Sequence, residues 1–169
     1  RIRNTARFLL SNLSDFDPSK NQKKVDALVL LDQLAIKRVS VLNEQIKNEY
    51  NNYSFHKIVQ LLHNFCVNDM GGFYLDILKD RLYTMPADSS GRRSAQTALY
   101  IIAESLTRWI APILSFTSEE IWKHLPERRE ESVFLSEWLD IDNPESNVDW
   151  DQLNEINAIV LKALEVARD

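Results

Sequence analysis

The sequence predicts an all-α protein, a bundle of helices packed around one core. Apolar residues recur at three- and four-residue steps through most of the 169 residues. Only three glycines and five prolines interrupt this pattern, and no segment alternates apolar and polar residues for long enough to build a sheet. Because 44% of the residues are hydrophobic, the chain is long enough to bury one substantial core.

The first half of the chain predicts four helical segments. Residues 1–13 form the first. The second begins near Asp32, a good N-cap residue, and carries the apolar stripe Ala35, Val39, Leu42, Ile46 and Tyr50. Ser54 caps the third helix, and its inward residues are Phe55, Ile58, Val59, Leu62 and Phe65. Gly71 and Gly72 are expected to interrupt the pattern. It then resumes over 73–83 with Leu75, Ile77, Leu78 and Leu82.

The second half begins with a predicted loop at 86–91. The clearest helix follows it, with the stripe Leu99, Ile102, Leu106, Trp109 and Ile113. Pro112 is expected to kink or end this helix. Thr117 and Glu120 are spaced as a capping box for the next helix, which Pro126 ends. Residues 132–138 are predicted to be short and irregular or extended. Asp149 caps a last helix that carries Leu153, Ile156, Val160 and Leu164.

These segments predict a helix bundle over residues 1–126, an acidic connecting segment over 127–148, and a truncated final helix over 149–169. The charge is also distributed unevenly along the chain. Residues 1–118 contain 15 basic and 11 acidic residues, whereas residues 119–169 contain 5 and 14. A basic face for a polyanion is compatible with this asymmetry, and so is ordinary solvation of helix surfaces. The chain starts without Met and stops in mid-pattern at Asp169, which predicts a fragment of a longer protein.

The sequence offers no catalytic or metal-binding pattern. Cys66 is the only cysteine, so no internal disulfide forms, and the cysteine and His63 do not supply the four ligands of a closed zinc site. The three histidines have no partners for nucleophilic catalysis. Charged residues interrupt every apolar run before it reaches the roughly 20 residues that a membrane helix needs. We therefore expect neither a catalytic residue nor a metal ligand in this chain, and no membrane partner.

Two basic clusters remain as candidates for nucleic-acid binding. The first consists of Arg1, Arg3, Asn4 and Arg7 on the first helix, where spacings of three and four residues align side chains on one face. Arg3, Asn4 and Arg7 are the candidate binding residues of this cluster. The second cluster surrounds the loop at 86–91 and consists of Lys79, Arg81, Tyr83, Arg92 and Arg93. Arginine suits phosphate through its planar guanidinium, and tyrosine stacks on unpaired bases. The alternative is a solvated surface with local ion pairs.

Several sequence blocks together resemble the isoleucyl-tRNA synthetases, a family of class Ia aminoacyl-tRNA synthetases. They occur in the family's order and spacing and cover nearly the whole chain: Arg1–Leu10, Phe73–Thr84, Arg92–Thr97, Trp109–Thr117, Glu119–Trp122 and Leu161–Arg168.

The resemblance implies the anticodon-binding helix bundle of a class Ia synthetase, with the tRNA anticodon stem-loop as its partner. It implies a parent enzyme that uses ATP and Mg to join isoleucine to tRNA, and it leaves room for zinc in the parent's C-terminal region. The family's ATP-binding signatures are absent here, so no cofactor is expected in this chain. The resemblance also implies a cytoplasmic monomer, in which the catalytic and C-terminal domains of the same chain are neighbours. Among the basic residues it favours Arg7, because related enzymes use an Arg on this helix near the anticodon.

Two alternatives stay open at the level of sequence. A helical scaffold could use the arginine clusters to bind an acidic protein partner. A valyl or leucyl relative would share the same fold with a different amino-acid specificity.

Overall fold

The computed structural model describes residues 1–127, 130–145 and 148–168. The described residues form helices and connections without a strand, which confirms the predicted all-α class. The α-helices are α1 (Ile2–Ser11), α2 (Pro18–Asn21), α3 (Leu30–Asn51), α4 (Phe55–Asn64), α5 (Leu75–Thr84), α6 (Ser90–Ile110), α7 (Ser115–His124) and α8 (Trp150–Arg168). A π-helical segment (Phe65–Tyr74) joins α4 to α5, and short 3-10 turns lie at Val25–Ala27 and Val133–Leu135.

The long helix α6 lies at the centre of the core, with α1, α3, α5 and α7 packed around it. Four residues of its predicted stripe are buried, namely Leu99, Ile102, Leu106 and Trp109. The fifth, Ile113, lies beyond the end of the helix and is partly buried against the core. The helix ends at Ile110, two residues before Pro112, as the missing N–H of proline requires. Trp109 packs edge-on against Phe65, with ring centroids 5.7 Å apart, and its indole Nε1 donates to the side-chain oxygen of Asn43 at 2.8 Å. The core therefore joins α6 to α3 and to the π-helical segment.

The prediction that Asp32 caps α3 is wrong. The helix begins at Leu30, and its N-cap position is Val29, whose backbone N–H donates to the Ser94 hydroxyl at 2.8 Å. Asp32 is completely buried inside the first turn. Its carboxylate accepts hydrogen bonds from other helices instead of from its own backbone. Asp32, although aspartate commonly caps helices, therefore makes a tertiary contact here.

The predicted break at Gly71 and Gly72 is also wrong, because the chain stays helical from Phe55 to Thr84. The wider π turn brings backbone carbonyls close to the two glycines. A Cβ on Gly71 would lie 3.1 Å from the Cys66 carbonyl oxygen, and one on Gly72 would lie 3.3 Å from that of Val67. Gly71 and Gly72 therefore allow the π-helical geometry, at the position where the sequence predicted a break in the helix.

The capping box predicted at Thr117 and Glu120 does not form either. Helix α7 begins at Ser115, so Thr117 is already inside it. The hydroxyl of Ser118 donates to the Thr107 carbonyl at 2.6 Å. The carboxylate of Glu119 accepts from the Ser132 hydroxyl and from the backbone N–H of Val133, at 3.2 Å for the latter. These side chains connect α7 to α6 and to the following segment instead of closing the helix end.

Smaller departures concern which side chains face inward. Phe55, Val59 and Ile77 were expected in the core but are exposed. In α8, Leu153 packs against the core while Ile156, Val160 and Leu164 are exposed. The predicted cap of α8 is confirmed, since the Asp149 carboxylate accepts from the backbone N–H of Asp151 at 2.8 Å.

The segment before α8 runs along the bundle as an irregular chain. Backbone carbonyls of Glu137, Leu139 and Ile141 accept from Arg108, Asn43 and Ser40 respectively. The 3-10 turn at Val133–Leu135, with extended residues on both sides, agrees with the irregular segment predicted at 132–138. Residues 128–129 and 146–147 of the predicted connecting segment, and Asp169 at the end of the last helix, lie outside the described residues.

The burial of Trp109 makes a direct prediction about stability. Trp109→Ala should lower the free energy of unfolding by about 3–5 kcal/mol, because it leaves a large cavity in the core. Urea denaturation followed by circular dichroism measures this change. Phe116→Ala is the matched control, because Phe116 is 94% exposed and its loss should leave the denaturation midpoint unchanged. Equal midpoints for Trp109→Ala and the wild-type chain would contradict the core assignment.

Candidate nucleic-acid interface

The first basic cluster lies on the outer face of α1. Arg3, Asn4 and Arg7 are exposed, whereas Thr5 and Ala6 between them are buried. The helix is amphipathic, and its apolar side packs on α6 and α7. Among the residues that the structure describes, neither Arg3 nor Arg7 forms an ion pair. Two permanent charges one helical turn apart are thus open to an external anion.

This face borders a groove between α1 and α7. The groove has a volume of about 700 Å³. The α7 wall presents the side chains of Thr117, Glu120 and His124, and Ser11 and Ser14 extend the α1 wall beyond Arg7. The sequence did not identify the α7 residues, because only the packing of α7 against α1 brings them opposite the arginines. A groove with guanidinium, amide, hydroxyl and carboxylate groups can contact both phosphates and base edges.

Arg81, from the second basic cluster, is occupied by the buried carboxylate of Asp32. The two guanidinium nitrogens donate to the two carboxylate oxygens at 2.8 and 2.7 Å, a bidentate pair. The Tyr74 hydroxyl donates to the same carboxylate at 2.7 Å, and the Ser94 hydroxyl does so at 2.5 Å.

Burial alone would lower the pKa of Arg81, but the hydrogen bonds and charge of Asp32 raise it. Burial, together with the Asp32 charge, raises the pKa of Tyr74 well above its usual value. Both donors therefore stay protonated, and Arg81 stabilises the packing of α5 against α3.

Arg92 and Arg93, at the start of α6, are directed towards the loop that follows α1. One Arg92 nitrogen donates to both carboxylate oxygens of Asp15 at 3.1 Å, and a second donates to the Leu82 carbonyl. Arg93 donates to the Asp15 carbonyl at 2.9 Å and to the Gln96 side chain at 2.7 Å. Both guanidinium groups are mostly buried. They connect α6 to the end of α1, and the single Asp15 carboxylate offsets one of their two positive charges.

Lys79 and Tyr83 are the members of the second cluster that face solvent. Lys79 forms an exposed ion pair with Asp76 on the same helix, with 2.6 Å between nitrogen and oxygen. Such a pair exchanges readily with another anion, because exposed pairs contribute little stability. The Tyr83 ring is 63% exposed at the end of α5. The structure thus divides the second cluster into two accessible residues and three that stabilise the bundle.

No group in the described residues is arranged for metal binding, since no three His, Cys, Asp or Glu side chains come together. Burial raises the pKa of the Cys66 thiol to about 11, so the sulfur is a poor nucleophile at neutral pH. None of the helices in the described parts of the chain combines the length and apolar character needed to cross a lipid bilayer.

The described residues form an all-α bundle with an open cationic face on its first helix, an arrangement suited to an anionic partner. Comparison with known proteins specifies the class of protein. A family model for the anticodon-binding domain of tRNA ligases matches residues 32–169, and the chain belongs to this family.

The individual relatives compared with the chain are isoleucine–tRNA ligases. The chain is 53% identical to the isoleucine–tRNA ligase of Halorhodospira halophila and 55% identical to that of Coxiella burnetii, each over 174 residues and 100% of this chain. It is 50% identical over 173 residues, 99% of this chain, to that of Teredinibacter turnerae. The chain spans 18%, 19% and 18% of these relatives respectively. The family resemblance inferred from the sequence blocks is therefore confirmed.

The Asp32–Arg81 pair generates a second prediction. Arg81→Ala should lower the free energy of unfolding by about 3–5 kcal/mol, because it leaves a buried carboxylate without its counter-ion. Thermal and urea denaturation both report the change. Lys79→Ala removes an exposed cation two residues away on the same helix and should leave the denaturation midpoint unchanged. If both variants unfold at the wild-type midpoint, Arg81 does not stabilise the bundle.

The Asp15 contacts generate a prediction for pH. Burial by itself raises the pKa of Asp15, but hydrogen bonds from Gln96 and Arg92 outweigh it and lower the pKa below the usual 3.8. Since the folded pKa is the lower one, the stabilisation is complete above the unfolded value and is lost as the pH falls through the folded value. The wild-type chain should therefore lose more stability than Asp15→Asn between about pH 5 and pH 2. Parallel stability–pH curves from urea denaturation would rule this out.

Proposed function

We propose that this domain binds the anticodon stem-loop of isoleucine tRNA, as part of a longer enzyme that attaches isoleucine to that tRNA. The observation that carries the proposal is the α1 face, where Arg3 and Arg7 are exposed, without an ion-pair partner among the described residues, and next to an open groove. Membership in the anticodon-binding family and about 50% identity to isoleucine–tRNA ligases support the same partner.

The exposed groups suit the two kinds of contact that RNA recognition needs. Arg3 binds a backbone phosphate, which fixes the position of the loop without reading its sequence. Arg7 and Asn4 meet unpaired bases, since the guanidinium stacks on a base plane and the amide hydrogen-bonds a base edge. Lys79 and Tyr83 add a second contact, in which the exposed ring stacks and the ammonium group exchanges Asp76 for a phosphate.

Arg81, Arg92 and Arg93 act indirectly in this proposal. Their guanidinium groups already bind Asp32 and Asp15, so an RNA phosphate would have to displace a partner held within the fold. Arg81 joins α5 to α3 through Asp32, whereas Arg92 and Arg93 fix the end of α1 relative to α6 through Asp15. Arg92 and Arg93 thereby place the α1 face, which carries the direct contacts.

The remaining properties belong to the proposed parent enzyme. ATP and Mg act in its catalytic domain, and any zinc belongs to its C-terminal region. The catalytic and C-terminal domains are the neighbours of this domain within one chain, and the enzyme is proposed to be a cytoplasmic monomer. The purified domain should not catalyse the isoleucine-dependent exchange of pyrophosphate into ATP.

Arg3→Ala and Arg7→Ala should affect binding differently. Arg3→Ala removes a phosphate contact, so the slope of log affinity against log salt should fall by about one unit or less for any stem-loop. Arg7→Ala removes a base contact and should cost about 1–3 kcal/mol on the isoleucine stem-loop and much less on one with a scrambled anticodon. Fluorescence anisotropy of labelled stem-loops across a salt series measures both effects.

Arg168→Ala is the matched control, because it removes the same charge from the exposed end of α8. It should bind as the wild type does. If all three variants bind both stem-loops equally, with the wild-type salt slope, the α1 face does not contact RNA. Binding to an acidic protein that RNA does not compete would then favour a scaffold.

A further inference from the structure

Among the described residues, helix α8 contacts the bundle through its first turns. Leu153 packs against the core, and Asn154 and Asn157 are partly buried. Every residue from 158 to 168 is exposed. Apolar side chains in this helix remain 48–71% exposed, namely those of Ile156, Ile159, Val160, Leu161, Leu164 and Val166. The direction of α8 is therefore set by the contacts at its N-terminal end.

Trp150, the first residue of α8, makes the principal contact. Its ring is buried and packs edge-on against Phe73, with centroids 5.2 Å apart. It is tilted against Tyr74 at 6.2 Å. Both partners belong to the π-helical segment. These aromatic contacts bury the ring and join the start of α8 to the π-helical segment.

A buried carboxylate supplies the directional contact. The Trp150 indole Nε1 donates to one oxygen of Asp69 at 2.9 Å, and Arg38 Nε of α3 donates to the other oxygen at 3.0 Å. Asp69 is almost completely buried, and the Arg38 guanidinium is partly exposed. Hydrogen bonds to a charged group are stronger and more directional than neutral ones. Asp69 therefore links α8 to α3 through two opposite oxygens of one carboxylate.

We propose that Trp150, Asp69 and Arg38 form a latch that sets the direction in which α8 leaves the bundle. The 19 residues of α8 span roughly 28 Å at about 1.5 Å per residue, so a tilt of about 10° at Trp150 displaces the far end by about 5 Å. A small change in the contacts of Trp150 therefore moves the exposed apolar face of α8 by several ångströms. The π-helical segment is part of this device, because it supplies Asp69, Phe73 and Tyr74.

The test measures the direction of α8 in the complete 169-residue chain. Nitroxide labels on cysteines introduced at Glu44 of α3 and Lys162 of α8, with Cys66→Ala in every sample, report one distance by double electron–electron resonance. Both labelled positions are exposed. The chain with the native latch should give a single narrow distance peak. Trp150→Phe keeps an aromatic ring but removes the indole N–H, and it should abolish the narrow peak. Asp69→Leu removes both hydrogen bonds and should do the same.

Trp138→Phe is the matched control. It also removes an indole N–H, but the Trp138 Nε1 has no hydrogen-bond partner among the described residues, so the narrow peak should remain. Circular dichroism checks that the bundle stays folded. Unchanged narrow peaks in both Trp150→Phe and Asp69→Leu would overturn the latch. Global unfolding of Trp150→Phe would also overturn it, because Trp150 would then support the whole bundle and not the direction of α8 alone.

Discussion

The carboxylate of Asp32 lies where α3, α5 and α6 meet, and it is completely removed from solvent. An ionised carboxylate in this position costs several kcal/mol unless donors surround it. Tyr74, Arg81 and Ser94 supply four hydrogen bonds from outside α3, and each donor comes from a different part of the chain. The Ser94 hydroxyl also accepts from the backbone of Val29, so the start of α3 is set by the same group. The relative placement of these helices depends on satisfying this one charge.

The same constraint explains why polar side chains that are close in sequence have different roles. Lys79, Arg81 and Tyr83 lie within five residues of α5, yet only Arg81 reaches the interior. Arg92 and Arg93 fix the loop after α1 through Asp15. Helix α1 contributes no acidic residue to its own exposed face, and its arginines remain open. The proposed RNA contacts thus depend on a bundle in which Arg38, Arg81, Arg92, Arg93 and Arg108 are already paired.

The π-helical segment connects several of these features. It continues α4 into α5, supplies Tyr74 to Asp32, and supplies Asp69 to Trp150. An additional residue in a π turn rotates the following side chains relative to an α-helix, and π turns are uncommon and often lie at functional sites. Here the π-helical segment directs two of its polar side chains towards different helices.

The amino-acid sequence predicts the all-α class, most of the α6 stripe, the ends of helices near Pro112 and Pro126, the Asp149 cap and the shared face of Arg3, Asn4 and Arg7. These features depend on residues a few positions apart, where helical periodicity and backbone chemistry dominate. Tertiary packing, by contrast, makes Asp32 a buried acceptor and not a cap. It also places α7 opposite α1 across a groove and pairs Arg81 and Arg92 internally. Their partners lie 49 and 77 residues away in the chain, so the pairing exists only once packing brings distant helices together.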